Sequence, residues 1–277
     1  MLKVIEDIVV DKKRRGFSRV LIINYLKEYL QYLILNLLYN HSQFNRELVF
    51  KGGSCLRIIY QLPRLSEDLD FDIRSKQPDI ILSELSDFLV KQITQKYLLP
   101  VETKIQSSIR LYLKFPILRQ LGLTPKGESN KLYIKIEISP TIIPKAEFNL
   151  VPISKFNFNF VVSSYNLSTL MVGKLNAFFN RIWFRGKDNQ IVIKGRDFYD
   201  LYWFLSQHTT PNWPALQATM NINNWEQLKA KINQRLAKVN SQQIGYDLKN
   251  FIDDQEFISQ FSENYKDIIA RLLDTSS

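Results

Sequence analysis

Asp68, Asp70 and Asp72, set at every second position in SEDLDFDI, are the residues of this sequence best spaced to do chemistry. In a β-strand, side chains at i, i+2 and i+4 share one face. The three carboxylates therefore point one way, while Leu69, Phe71 and Ile73 point the other way into a core. Clustered carboxylates repel one another unless a cation neutralises them. Divalent ions bridged by an Asp-x-Asp pair do so, and such ions also activate an attacking hydroxyl and stabilise a leaving pyrophosphate. A solvated outer face of an edge strand, charged against aggregation, accounts for the same pattern.

A second feature lies just upstream. Gly52 and Gly53 stand together in KGGS, in a chain with only nine glycines. Paired glycines let the backbone approach a ligand closely, or they make a simple turn. The N–H groups of a helix beginning there, with the Ser54 hydroxyl, suit phosphate oxygens. The two features together put phosphate donors and metal ligands on adjacent elements, which is more specific than either alone.

Several elements must position these residues. ELVFKGG reads as a short strand running into a glycine turn. SCLRIIYQL reads as a helix capped by Ser54 and ended by Pro63. EDLDFDI is a strand. Apolar residues from Leu21 to Leu37 recur at helical spacing and predict a long helix over 17–40, and 79–97 is an amphipathic helix. VETKIQ, SIRLYLKF and KLYIKIEIS are strands, the last two with clean alternation, and FNFVV is a further strand candidate. Pro140, Pro144 and Pro152 punctuate loops around it. From about Tyr165 onward every segment has helical spacing. The expected fold class is α+β: a mixed sheet with flanking helices over 1–163, then an all-helical lobe over 164–277.

Composition narrows the chemistry. One cysteine, Cys55, excludes an internal disulfide and a cysteine zinc site, and two histidines exclude a histidine-rich one. A metal held mainly by oxygen is Mg²⁺ or Mn²⁺. The apolar run YLKEYLQYLILNLLYN is interrupted by Lys27, Glu28 and Gln31, so no membrane span is expected. The order of charges in the first sixteen residues is the reverse of a signal peptide, and a cytoplasmic protein is expected. Net charge is +10, with the excess in the first two-thirds of the chain. That suits a polyanionic partner, or a generically soluble basic protein.

KGGSCLRIIYQLPRLSEDLDFDI resembles the signature of the AbiEii/AbiGii-type nucleotidyltransferase toxins. There a Gly-Gly-Ser/Thr turn precedes an Arg-x-Ser-x-Asp-Leu-Asp-Phe block; Gly52, Gly53, Ser54, Arg64, Ser66, Asp68, Asp70 and Phe71 match it. NLSTLMVGKLNAFFNR resembles the family helix carrying a functional lysine, at Lys174, with a small residue, Ala177, three positions on. KGRDFYDLYWFL resembles its Lys/Arg-Asp-x-x-Asp-Leu block, at Asp197, Asp200 and Leu201. Past residue 210 no motif matches.

The resemblance implies that Asp68 and Asp70 bind the catalytic metals, and that Gly53, Ser54 and Ser66 serve the nucleotide. It implies that Lys174 contacts a nucleotide phosphate and that Asp197 orients Lys174 or the acceptor. Related transferases add a third carboxylate from a neighbouring strand, for which Glu137 in YIKIEIS is the candidate; pairing with Lys135 on the same face is its ordinary alternative. Lys174 could equally be a surface lysine and Asp197 a helix cap. Arg181, Arg185, Lys187, Lys194 and Arg196 form a basic run suited to RNA phosphates or to a solvated face. The implied reaction transfers a nucleoside monophosphate from an NTP to an RNA acceptor, the tRNA 3′ end foremost, blocking translation. A cognate antitoxin is the implied partner and phage defence the implied setting. The alternatives are a protein or small-molecule hydroxyl as acceptor, or a basic RNA-binding module without catalysis.

Overall fold

The computed structural model describes residues 1–74, 78–181, 193–240 and 242–275. The chain divides into two compact units, Met1–Ile142 with Phe148–Ser164, and Ile143–Glu147 with Tyr165–Ser277.

The first unit is built on a mixed sheet. Its strands are β1 (Leu48–Lys51), β2 (Leu69–Ile73), β3 (Glu102–Gln106), β4 (Arg110–Phe115), β5 (Leu132–Ser139), β6 (Phe148–Lys155) and β7 (Phe158–Tyr165). Their order across the sheet is β3-β4-β5-β2-β1-β7-β6. β2 lies centrally, antiparallel to β1 and parallel to β5. Alternation dictates the faces: β4 and β5 bury every second residue, and Ile134, Ile136 and Ile138 are fully enclosed. Leu69 and Phe71 join them, with the Phe71 ring 5.4 Å from that of Phe50.

The helices of this unit are α1 (Leu2–Arg14), α2 (Arg19–Tyr39), α3 (Phe44–Glu47), α4 (Gly52–Tyr60) and α5 (Pro78–Tyr97). α2 starts at Ser18, whose hydroxyl accepts from the Leu21 N–H. Its three polar interruptions all reach the segment leading to the acidic strand or its surroundings. Lys27 pairs with Glu67 at 2.8 Å, Glu28 holds both Arg57 and Lys155, and Gln31 donates to the Ser66 carbonyl at 3.0 Å. An apolar helix thus anchors the 57–67 segment through the very residues that break its hydrophobic run.

Two expectations for α4 are corrected. The helix begins at Gly52 with Lys51 at the cap position, so Ser54 lies inside its first turn and does not cap it. It ends at Tyr60, where Gln61 turns left-handed at φ 60°, three residues before Pro63. β6 falls in a stretch read as loop. It has no alternation and holds Pro152, which an edge strand tolerates. α1, which the sequence reading did not assign, buries only Ile5 and Val9.

The second unit is helical: α6 (Leu167–Asn180), α7 (Gly195–Ser206), α8 (Trp213–Met220), α9 (Trp225–Ala237), α10 (Gln242–Leu248) and α11 (Gln255–Asp274). Asn166, Asn212, Asn224 and Asp254 cap four of them through their side chains. Phe178, Phe198 and Tyr265 stack edge-to-face to form its aromatic centre. A side chain at Gly195 would collide with the Ile244 carbonyl, so glycine lets α7 start hard against α10. No described helix is long and apolar enough to cross a membrane.

Candidate active site

Strand register assembles the acidic site in the first unit. Asp70 lies opposite Lys51 on β1 and Glu137 on β5, and Asp72 lies beside Ser139. The three aspartates are not equivalent. Asp72 is fully buried, and Lys51 binds both its carboxylate and the Ser139 hydroxyl. It is a structural anchor. The Asp68 side chain is 38% exposed, and its Oδ2 lies 3.0 Å from the Lys135 ammonium.

The glycine turn meets this strand directly. Gly52 has φ +80°, and a Cβ there would run into Asp70 Oδ2. Only glycine combines that backbone with that approach. A Cβ at Gly53 would crowd Ser66 Oγ and the Arg64 guanidinium. Ser54 is buried, and its hydroxyl donates to the Asp68 carbonyl. It therefore ties the turn to the acidic strand. The first N–H groups of α4 lack intrahelical acceptors by construction, an arrangement that suits an anion.

Glu137 is placed beside Asp70, but cations already hold it. Arg110 Nε lies 2.9 Å and Lys135 Nζ 3.1 Å from its Oε2. Burial raises the Glu137 pKa, and the Arg110 hydrogen bond and Lys135 charge outweigh it, so the group sits below the ordinary value. Burial opposes the Lys135 charge, yet Asp68 and Glu137 hold its pKa well above the usual lysine value. Among the described residues no group of three or more His, Cys, Asp or Glu side chains is arranged to hold a metal ion. A divalent ion nevertheless fits the donor set of Asp68 and Asp70. They are hard oxygen ligands, and the pair of Asp68 with Lys135 must open to admit the ion. Glu137 fits as a third ligand only if its two ion pairs open.

In the second unit, α6 presents Lys174 to α7. Its Nζ lies 2.8 Å from Asp200 Oδ2, and that carboxylate is fully buried. Asp197 is not the helix cap, which falls at Lys194; it stands in the first turn and holds Arg181 at 3.0 Å. Asp200, rather than Asp197, is thus the carboxylate that orients Lys174. Arg196 reaches Asp247 at 3.1 Å. Arg185 and Lys187 lie outside the described residues. In the sequence Lys194 belongs to the same basic run as Arg181, suited to RNA phosphates or to a solvated face. Burial first, then the charges of Arg196 and Arg181, lower its pKa to about 8. Arg181, Asp197 and Lys174 are among the charged groups that act on it. Its only sequence signal was membership of the basic run.

A sheet unit with a glycine turn against an Asp-x-Asp strand, followed in sequence by a helical unit, is the arrangement that the AbiEii-type resemblance implies. Residues 36–277 match the protein family described as nucleotidyl transferase AbiEii toxin, type IV TA system, and the chain belongs to that family. It is a nucleotidyltransferase. Among solved structures, MenT4, a nucleotidyltransferase toxin from Mycobacterium tuberculosis, aligns over 100% of this chain and 99% of its own at 14% identity, with a TM-score of 0.54. That likeness supports the fold. JHP933 from Helicobacter pylori aligns over 90% of this chain and 93% of its own at 18% identity; its TM-score of 0.47 is too low to bear on the argument. No curated protein matches at a significant level.

Proposed function

We propose that the enzyme transfers a nucleoside monophosphate from an NTP to an RNA acceptor, with the 3′ end of a tRNA as target, in the cytoplasm and as a toxin balanced by a cognate antitoxin. The observation that carries the reading is the contact of Gly52 with Asp70, which brings a helix-start anion site against an oxygen-donor pair. In this reading Asp68 and Asp70 hold Mg²⁺ or Mn²⁺, which when bound supplies charge neutralisation at the reacting phosphate. The Gly53 backbone receives triphosphate oxygens. Ser54 and Ser66 hold the turn in shape, Ser54 through Asp68 and Ser66 through Gln31. Glu137 completes the acidic face, with Arg110 and Lys135 keeping it ionised.

Lys174 is the phosphate contact on the helical unit, a flexible point charge aimed by a buried carboxylate. Asp197 holds Arg181 for the RNA backbone. RNA is favoured over a protein or small-molecule acceptor by the net charge of +10. Incubation of the protein with total RNA and each labelled NTP in turn tests the reading. Label is expected in tRNA with one NTP; label in protein alone would overturn the RNA acceptor.

A further inference from the structure

The helical unit carries a second polar cavity, of about 430 Å³, between the ends of α6 and α8 and one face of α9. Lys231, Arg235 and Lys238 line it. Their spacing of four and three residues puts all three on one helical face. Among the described residues no acidic side chain lines the cavity and none of the three cations is ion-paired. Like charges so placed repel one another in the absence of an anion.

Two neighbours satisfy part of this charge. α6 and α8 both end at the cavity, and helix C-termini attract cations. Lys231 donates to the Met220 carbonyl at the end of α8, but at 3.5 Å. That accounts for one lysine. It does not account for Arg235, whose Nε is buried without a hydrogen-bond partner. A solvated helix face keeps its guanidinium groups in water, whereas a buried guanidinium N–H needs an acceptor. Phosphate oxygens match a guanidinium flanked by two ammonium groups. Phe179 adds an aromatic wall, its ring held edge-to-face by Phe178 at 5.1 Å, and nucleobases stack on such rings. The volume suits a nucleotide-sized group.

We propose that this cavity is an RNA backbone site. Lys231, Arg235 and Lys238 grip phosphodiesters of the acceptor RNA, and Phe179 receives a base, at residues separate from the glycine turn, the acidic strand and the Lys174–Asp200 pair. The proposal rests on the RNA-acceptor reading. It assigns a role to a stretch where the sequence showed no motif, and it supplies unpaired cations where Arg181 is already held by Asp197.

Fluorescence anisotropy of labelled tRNA, measured over a salt series with the full chain, tests it. The Lys231→Ala/Arg235→Ala/Lys238→Ala variant is expected to bind at least tenfold more weakly. The slope of log affinity against log salt should shrink by about 2 for three lost phosphate contacts. Binding of a labelled NTP should stay unchanged. Should that variant misfold by circular dichroism, Lys231→Glu/Lys238→Glu, at two exposed positions, carries the same test. Wild type binding tRNA with the variant matching it in affinity and salt slope would overturn this site alone. Wild type failing to bind tRNA at low salt would overturn the RNA reading, and this proposal with it.

Discussion

The two units handle charge in opposite ways. In the sheet unit the carboxylate offered to a ligand is partly exposed, Asp68 at 38%, and Lys135 from the neighbouring strand β5 holds it. In the helical unit the carboxylates are the buried partners, Asp197 at 5% and Asp200 at 0%, and they hold cations that reach outward. The residue type is the same and the role is inverted. Burial and partner, rather than motif membership, separate an aspartate that can bind a ligand from one that aims a lysine. Asp72 makes the point within one strand. It shares the polar face of Asp68 and Asp70, yet it is enclosed and bound to Lys51, as a structural aspartate should be.

This inversion is tested most forcefully at Lys174. Lys174→Ala strands the buried Asp200 charge, and urea unfolding should show a loss of about 3–5 kcal/mol. The Lys174→Ala/Asp200→Ala double variant should recover much of that stability without recovering transfer, a non-additivity expected of contacting groups. Additive effects would mean that Asp200 does not serve Lys174.

At the sheet unit, Gly52→Ala should destabilise by about 1–2 kcal/mol through its left-handed backbone. Displacing Asp70 should also lower transfer about a hundredfold. Gly127→Ala is the control: its φ is +98°, but nothing lies within 4 Å of the added methyl. It should show the backbone penalty alone, with activity intact.

A smaller effect concerns Lys194. Its folded pKa of about 8 lies below the ordinary lysine value of 10.5, so between these values the unfolded chain holds a proton that the folded chain has lost. Stability should therefore rise with pH across that window. Lys194→Met removes the buried charge, so it should be more stable than wild type below pH 8, with the gap closing as the pH approaches 10.5. Thermal melts across pH 7–10.5 read this directly.

The smallest change is expected for Arg110→Ala. Its pair with Glu137 is partly exposed to solvent, and exposed pairs contribute less than about 1 kcal/mol. The Glu137 pKa should move upward, because the Arg110 hydrogen bond is the largest of the influences lowering it. Carboxyl NMR titration measures that shift.

Much of this was legible in the sequence because the physics is local. Alternation marked β4 and β5, and helical periodicity marked α2. The glycine turn and acidic strand were visible as neighbours fourteen residues apart. What the sequence hid depends on partners that only tertiary structure supplies. Ser54 looked like a helix cap because serine often is one, but the helix starts two residues earlier and the hydroxyl goes to Asp68. Lys51 and Arg110 carried no motif, and register alone brings them to the acidic face. β6 escaped notice because an edge strand needs neither alternation nor freedom from proline. Lys231, Arg235 and Lys238 lie where the sequence offered only helical spacing and no motif; the ends of α6 and α8 make them line a cavity.

The central claim is that the acidic strand against the glycine turn is the catalytic centre. The most direct test is incorporation of labelled nucleotide into RNA by Asp70→Asn beside wild type, with thermal unfolding confirming that the variant is folded. Loss of incorporation by about a thousandfold or more, with an unchanged melting midpoint, is predicted for removal of a ligand whose ion supplies several kcal/mol of transition-state stabilisation. A folded Asp70→Asn protein that still labels RNA at close to the wild-type rate would contradict it.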